Sequence, residues 1–110
     1  MRVQEFDTRG VYILDAQALD AIQVFWTNYA PFQGSVTITC FGCAWTAYFG
    51  GMMSETIQQF FAQADTPYLI SKLGRSQLLK ARKKDDVYLA RIISAIKEAL
   101  RTAKETPKSS

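Results

Sequence analysis

The spacing of apolar residues changes once along this chain, and the change falls at Ser54. In Ser35-Val36-Thr37-Ile38-Thr39-Cys40-Phe41, Val36, Ile38 and Cys40 take every second position with Thr37 and Thr39 between them, which is the alternation of a strand with one buried face. Ala44 to Phe49 repeats it, with Trp45, Ala47 and Phe49 on one side, Ala44, Thr46 and Tyr48 on the other, and a stop at Gly50-Gly51. Beyond Ser54 the repeat is helical. Ile57, Phe60, Phe61 and Ala64 fall at i, i+3, i+4 and i+7, and Leu89, Ile92, Ile93, Ile96, Ala99, Leu100 and Ala103 make one apolar stripe over residues 87–103. Asp85 and Asp86 suit the positive end of that helix's dipole, and Arg101 and Lys104 its negative end. Strands first and helices after imply an α+β fold: an antiparallel β-meander in the N-terminal half packed against C-terminal helices.

Local signals fill in the order. Val11 to Leu14 is β-branched or aromatic and follows Asp7-Thr8-Arg9-Gly10, so a hairpin is expected with Arg2 to Phe6 as its first arm. Residues 21–29 fit both periods; the richness in Val, Phe, Trp, Thr and Tyr favours a strand, with Asn28 to Gly34 as the following loop. Ser54 is the expected cap of the first helix, with Glu55 in its first turn. Thr66, Pro67 and Gly74 frame a short helix over 67–73, and residues 75–84 read as a loop with one helical turn. No linker interrupts the chain, so residues 1–104 are expected to form one domain with 105–110 as a frayed tail.

Composition narrows the chemistry. The 110 residues are 48% apolar, enough to bury a core, yet no apolar run approaches the ~20 residues that span a bilayer, and the start lacks a signal-like stretch. A soluble, cytosolic protein, away from membranes, is the expectation. The sequence has no histidine, which removes Ser-His, Cys-His and His-metal mechanisms and the usual proton shuttle at neutral pH. Cys40-Phe41-Gly42-Cys43 supplies half of a zinc site, and on one straight strand its thiols would point to opposite faces, so only a turn at Phe41-Gly42 brings them together. Otherwise they are two small residues flanking a Gly bend. The ten carboxylates show no D-x-D or E-x-x-E pairing, and Gly50-Gly51 lacks the lysine and spacing of a phosphate loop. The expectation is a non-enzyme with no cofactor and no metal.

Two surfaces remain. Residues 1–70 hold two Lys/Arg against six Asp/Glu and residues 71–110 hold eleven against four, so a half of net charge −4 precedes one of +7 in a chain of +3. Arg75, Lys80, Arg82, Lys83, Lys84, Arg91, Lys97 and Arg101 are the candidate surface for a polyanion or a protein partner, against the alternative of a solvated helical face. The helix-turn-helix spacing of residues 54–73 offers little to a base edge, since its second helix carries Tyr68, Leu69, Ile70 and Leu73. The aromatic group Phe25, Trp26, Tyr29, Phe32, Phe41, Trp45, Tyr48 and Phe49 suits base stacking, core packing or self-association, and the acidic first half favours the latter two. A homodimer is expected, made through an aromatic interface at Trp45 and Tyr48 or by pairing of the helix over 87–103. The alternative is that this helix closes the monomer's own core.

Gly34 to Gly42 followed by Ala44-Trp45, Tyr48, Gly50-Gly51-Met52, Gln59-Phe60-Phe61 and Asp65 to Leu69 resembles small accessory proteins of temperate tailed phages and prophages, over about residues 20–75. The resemblance implies a bacterial cytoplasm and a role in managing the host, its defences or the phage's nucleic acid. The function expected is therefore binding of a host or phage macromolecule, for example inhibition of a defence nuclease or CRISPR effector. The alternative is direct nucleic-acid binding through the basic C-terminal helical region.

Overall fold

The computed structural model describes residues 1–16, 19–40, 42–74 and 83–105. Four strands, β1 (Asp7–Ile13), β2 (Ile22–Ala30), β3 (Gln33–Cys40) and β4 (Cys43–Phe49), form one antiparallel sheet in sequence order, and α1 (Ile57–Gln63), α2 (Thr66–Gly74) and α3 (Lys83–Glu105) follow. The fold is the expected α+β meander with its helices after the sheet. Residues 22–30 are strand, as their β-formers favour.

The register explains the burial. Ile22, Val24 and Trp26 lie beside Cys40, Ile38 and Val36, and Ile38 lies beside Trp45, so one face collects the apolar residues of the three inner rows. Those residues join Phe49, Met52, Ile57, Phe61, Leu69, Leu73, Leu89, Ile92, Ile93 and Ile96 in a single core. All three helices lie on this face. The stripe of α3 is spent on its own sheet, with Ile92 and Ile93 fully buried, so it closes the monomer and is not available to a partner helix.

Three local expectations are corrected. The loop expected over Asn28 to Gly34 is only the turn at Pro31-Phe32, because Asn28 and Ala30 stay in the sheet and pair with Gly34 and Gln33. Asp7-Thr8-Arg9-Gly10 is not a turn: it is the first part of β1, paired in register with Asn28, Thr27, Trp26 and Phe25, while residues 2–6 lie outside any strand. Pairing with a long neighbouring strand outweighs local turn chemistry here, and the hydroxyls of Thr8 and Thr27 lie 3.0 Å apart across the pair. Helix α1 starts later than Ser54 suggests. Its cap is Thr56, whose hydroxyl accepts from the Gln59 N–H while the Gln59 side chain accepts from the Thr56 N–H, a reciprocal arrangement that Thr-x-x-Gln encodes. The helix of residues 67–73 is present as α2. The last helix extends to Lys83 and Glu105, reaching one residue into the stretch expected to fray, and most of the 75–84 segment lies outside the described residues.

The end of the β2–β3 hairpin fixes where the helical layer sits. Asn28 accepts the Ile57 N–H at 2.8 Å and donates to Gln58 Oε1 at 3.0 Å, so a side chain of β2 satisfies the first turn of α1. Its sheet partner is Gly34, where a Cβ would stand 2.8 Å from Ile57 Cβ and 2.9 Å from the Thr27 carbonyl. Pro31-Phe32 turns the hairpin with Phe32 at φ 68, and the Phe32 N–H and C=O bond the Glu55 carbonyl and the Met52 N–H. Gly34→Ala is expected to destabilise the fold by about 1–3 kcal/mol, because neither the backbone of β2 nor the root of α1 can give way cheaply. Urea unfolding checks this, with a lowered midpoint and an unchanged slope.

Candidate functional site

With the helices on one side, the other side of the sheet is left open. By register its rows are Tyr12, Gln23, Thr39 and Ala44; Gly10, Phe25, Thr37 and Thr46; and Thr8, Thr27, Ser35 and Tyr48. No row contains an Asp, Glu, Lys or Arg. A solvated antiparallel face ordinarily carries such residues; this one carries hydroxyls, an amide and rings. Phe6 and Tyr29 extend it at one end, where their rings pack at 4.8 Å and Tyr29 meets Tyr48 at 5.9 Å. Tyr12, at 63% exposure, Tyr48, at 60%, and Phe6, at 54%, are the most open of these rings.

The polar groups of this face bond one another across the strands. Gln23 donates to the Tyr12 hydroxyl at 2.6 Å and accepts from the Thr39 hydroxyl at 2.8 Å. Thr37 and Thr46 hydroxyls lie 3.0 Å apart, and those of Tyr29 and Ser35 3.2 Å apart. Such pairs hold the register and lower the number of bonds to water that covering the face would break.

The expected aromatic interface is corrected in part. Trp45 is 4% exposed, inside the core and 6.3 Å from the Tyr88 ring, whereas Tyr48 points to the open side, so the two do not share a surface. Their odd separation in one strand dictates this. The wider aromatic group divides likewise, with Trp26 and Phe49 inside and Phe25, Phe32 and Tyr29 exposed, while Phe41 lies outside the described residues. Phe6 and Tyr12 were not singled out in the sequence; the signal for them is the phase of β1 against β2, which the misplaced turn at 7–10 conceals.

The basic candidates separate as well. Arg91 and Arg101 are exposed on α3. Lys97 is not a free cation: its ammonium donates to the carbonyl of Ala64, the residue that ends α1, and to the Thr66 hydroxyl at 3.4 Å, so it holds the α1–α2 junction against α3. Lys83 and Lys84 open α3, while Arg75, Lys80 and Arg82 lie outside the described residues. The short α2 buries Leu69 and Leu73 and rests the Tyr68 ring 6.3 Å from Phe49 and from Phe60, so it serves the core more than a groove reader.

The turn needed to bring the cysteines together exists. Cys40 and Cys43 are paired across the end of β3 and β4, where Gly42 has φ 76, a left-handed conformation that glycine adopts without strain. Both are free thiols, Cys40 buried and Cys43 exposed. The Cys40 sulfur lies 3.1 Å from the Tyr88 hydroxyl and so ties β3 to α3. Among the described residues no three His, Cys, Asp or Glu side chains gather where they could hold a metal.

Tyr88 titrates high, at about 12, first because of its bond to Cys40, then because of burial and neighbouring negative charge from Cys40 and Asp20. A tyrosine whose folded pKa lies above its unfolded value near 10 adds stability that is whole below pH 10 and is lost between about 10 and 12. Tyrosinate absorbance is expected to show one late-titrating ring that Tyr88→Phe removes. The same substitution should lower stability by about 1 kcal/mol at neutral pH.

A four-stranded meander with one uncharged face open and a long basic-flanked helix on the other defines a small α+β protein. The phage family Phage_phiTE_072 matches residues 1–103, and the chain belongs to it. The resemblance seen over about residues 20–75 thus extends over nearly the whole chain, basic helix included. No curated protein and no solved structure matches. Among the described residues no helix is long and apolar enough to cross a membrane.

Proposed function

We propose that this phage protein is not an enzyme and acts by binding a macromolecule of the host or the phage, with the basic helical side as its contact surface. The observation that carries the reading is the segregation of charge. The last forty residues hold a net +7 in the sequence, with Arg75, Lys80, Arg82 and Lys108 of that total outside the described residues; Arg91 and Arg101 stand exposed on α3, and none of the three rows of the open sheet face holds a charge. A surface so divided steers an acidic partner to one side only. The absence of histidine from the sequence supports binding over catalysis, because the commonest acid–base residue at neutral pH is missing. Membership of a phage family supports a bacterial host as the setting, and the partner proposed there is an acidic surface on a component of a host defence system, for example a nuclease or CRISPR effector. Assembly into a homodimer would place two basic stretches on one particle and raise affinity through effective concentration.

Capture from host lysate with and without nuclease tests this reading. A protein partner is expected to survive nuclease treatment. The double change Arg91→Glu, Arg101→Glu should weaken its binding at least tenfold while leaving the unfolding midpoint within experimental error, whereas Lys97→Glu should lower the midpoint itself. Turnover of nucleotides, nucleic acid or peptides by the purified protein would contradict the proposal. The second reading, direct binding of DNA or RNA, rests on the same cations. It requires loss of the partner on nuclease treatment and a log–log salt slope near one unit per phosphate contacted.

A further inference from the structure

Among the described residues no helix covers the open face of the sheet, on whose three rows only Thr27 is buried, and three of its properties bear on what covers it. It holds no charged side chain in any of its three rows, although the chain as a whole carries +3. Its hydroxyl and amide groups are bonded to one another across neighbouring strands, as in the Tyr12–Gln23–Thr39 chain and the Thr37–Thr46 pair, so burial strands few of them. Its rings, exposed between 36% at Phe25 and 63% at Tyr12, spread over the face from one end to the other.

We infer that the occupant is a second copy of this chain, packed face to face about a two-fold axis near Phe25 and Thr37. An acidic or basic partner would have to bury its own charges against a face that offers no counter-charge, which is costly. A second copy brings none to the contact, because the residues it presents are the same uncharged ones, and a two-fold contact uses one patch twice. Four strands about 4.8 Å apart and about seven residues long at about 3.4 Å each give a flat footprint of roughly 450 Å², over half of the about 800 Å² per partner of a standard stable interface, and the projecting rings of Phe6, Tyr12, Tyr29 and Tyr48 add to it. Two such sheets pack about 10 Å apart with the rings filling the layer between them, the geometry of a sandwich. This contact replaces both routes that the sequence suggested: Trp45 is inside the core and the stripe of α3 is already used, while Tyr48 stays within the interface. The helices of both copies then face outward.

The inference rests on the reading that the chain works by association, and the two can fail separately. Sedimentation of the full chain at micromolar concentration is expected to give a particle of twice 12.4 kDa. Thr37→Lys sets a cation from each copy near the axis and should weaken dimerisation at least tenfold with far-ultraviolet circular dichroism unchanged. Tyr48→Lys, nearer the rim, is the second variant should Thr37→Lys fold poorly. A wild-type monomer overturns the inference, as does a dimer that either folded variant leaves intact. A monomer that still holds its acidic partner overturns the dimer alone, and a dimer that holds none overturns only the proposed binding function.

Discussion

A four-stranded sheet has two faces to cover, and the C-terminal half of this chain covers one. Helices of 7, 9 and 23 residues all pack on the side of Ile22, Val24, Trp26, Val36, Ile38 and Trp45. Asn28 and Gly34 set that choice, because they join the end of the β2–β3 hairpin to the first turn of α1 at a separation too close for any side chain on Gly34. Lys97 and Tyr88 then hold α3 in place, one by binding the end of α1 and the other by meeting Cys40 on β3. What remains exposed is the uncharged face of the sheet and the outer side of α3 with Arg91 and Arg101, and both proposals follow from that division.

Much of this was legible in the residues. The alternation of Val36, Ile38 and Cys40 and the stripe from Leu89 to Leu100 are long enough to report their element and their buried side directly. The same period already separated Trp45 from Tyr48, which stand three apart on one strand; joining them in one patch overrode the rule that β-strands obey. Shorter signals competed with partners far away in the chain. Asp7 to Gly10 has turn chemistry but finds a full-length neighbour in β2, and Ser54 is a good cap but Thr56 has Gln59 to reciprocate.

The site was less legible because it exists only through register. Nothing local in Tyr12, Gln23 and Thr39 shows that they form one bonded row; that requires β1, β2 and β3 to be aligned as they are. The fate of Lys97 was hidden for a related reason, since a lysine beside an apolar stripe looks solvated until the end of another helix is brought to it. The phage family places the chain among proteins of one biological setting. The two proposals divide the labour between the surfaces, assigning self-association to the uncharged face and an acidic partner to the cationic side.

The most direct measurement of this division is the solvent accessibility of individual side chains, read by nuclear magnetic resonance with a soluble paramagnetic agent over a range of protein concentrations. The account predicts that the methyls of Thr37, Thr39 and Thr46 and the rings of Phe25 and Tyr48 lose contact with the agent as concentration rises, while Arg91, Arg101 and Thr102 on α3 remain as accessible as before. Equal accessibility of both sides at every concentration, or protection of α3 in place of the sheet, would contradict it.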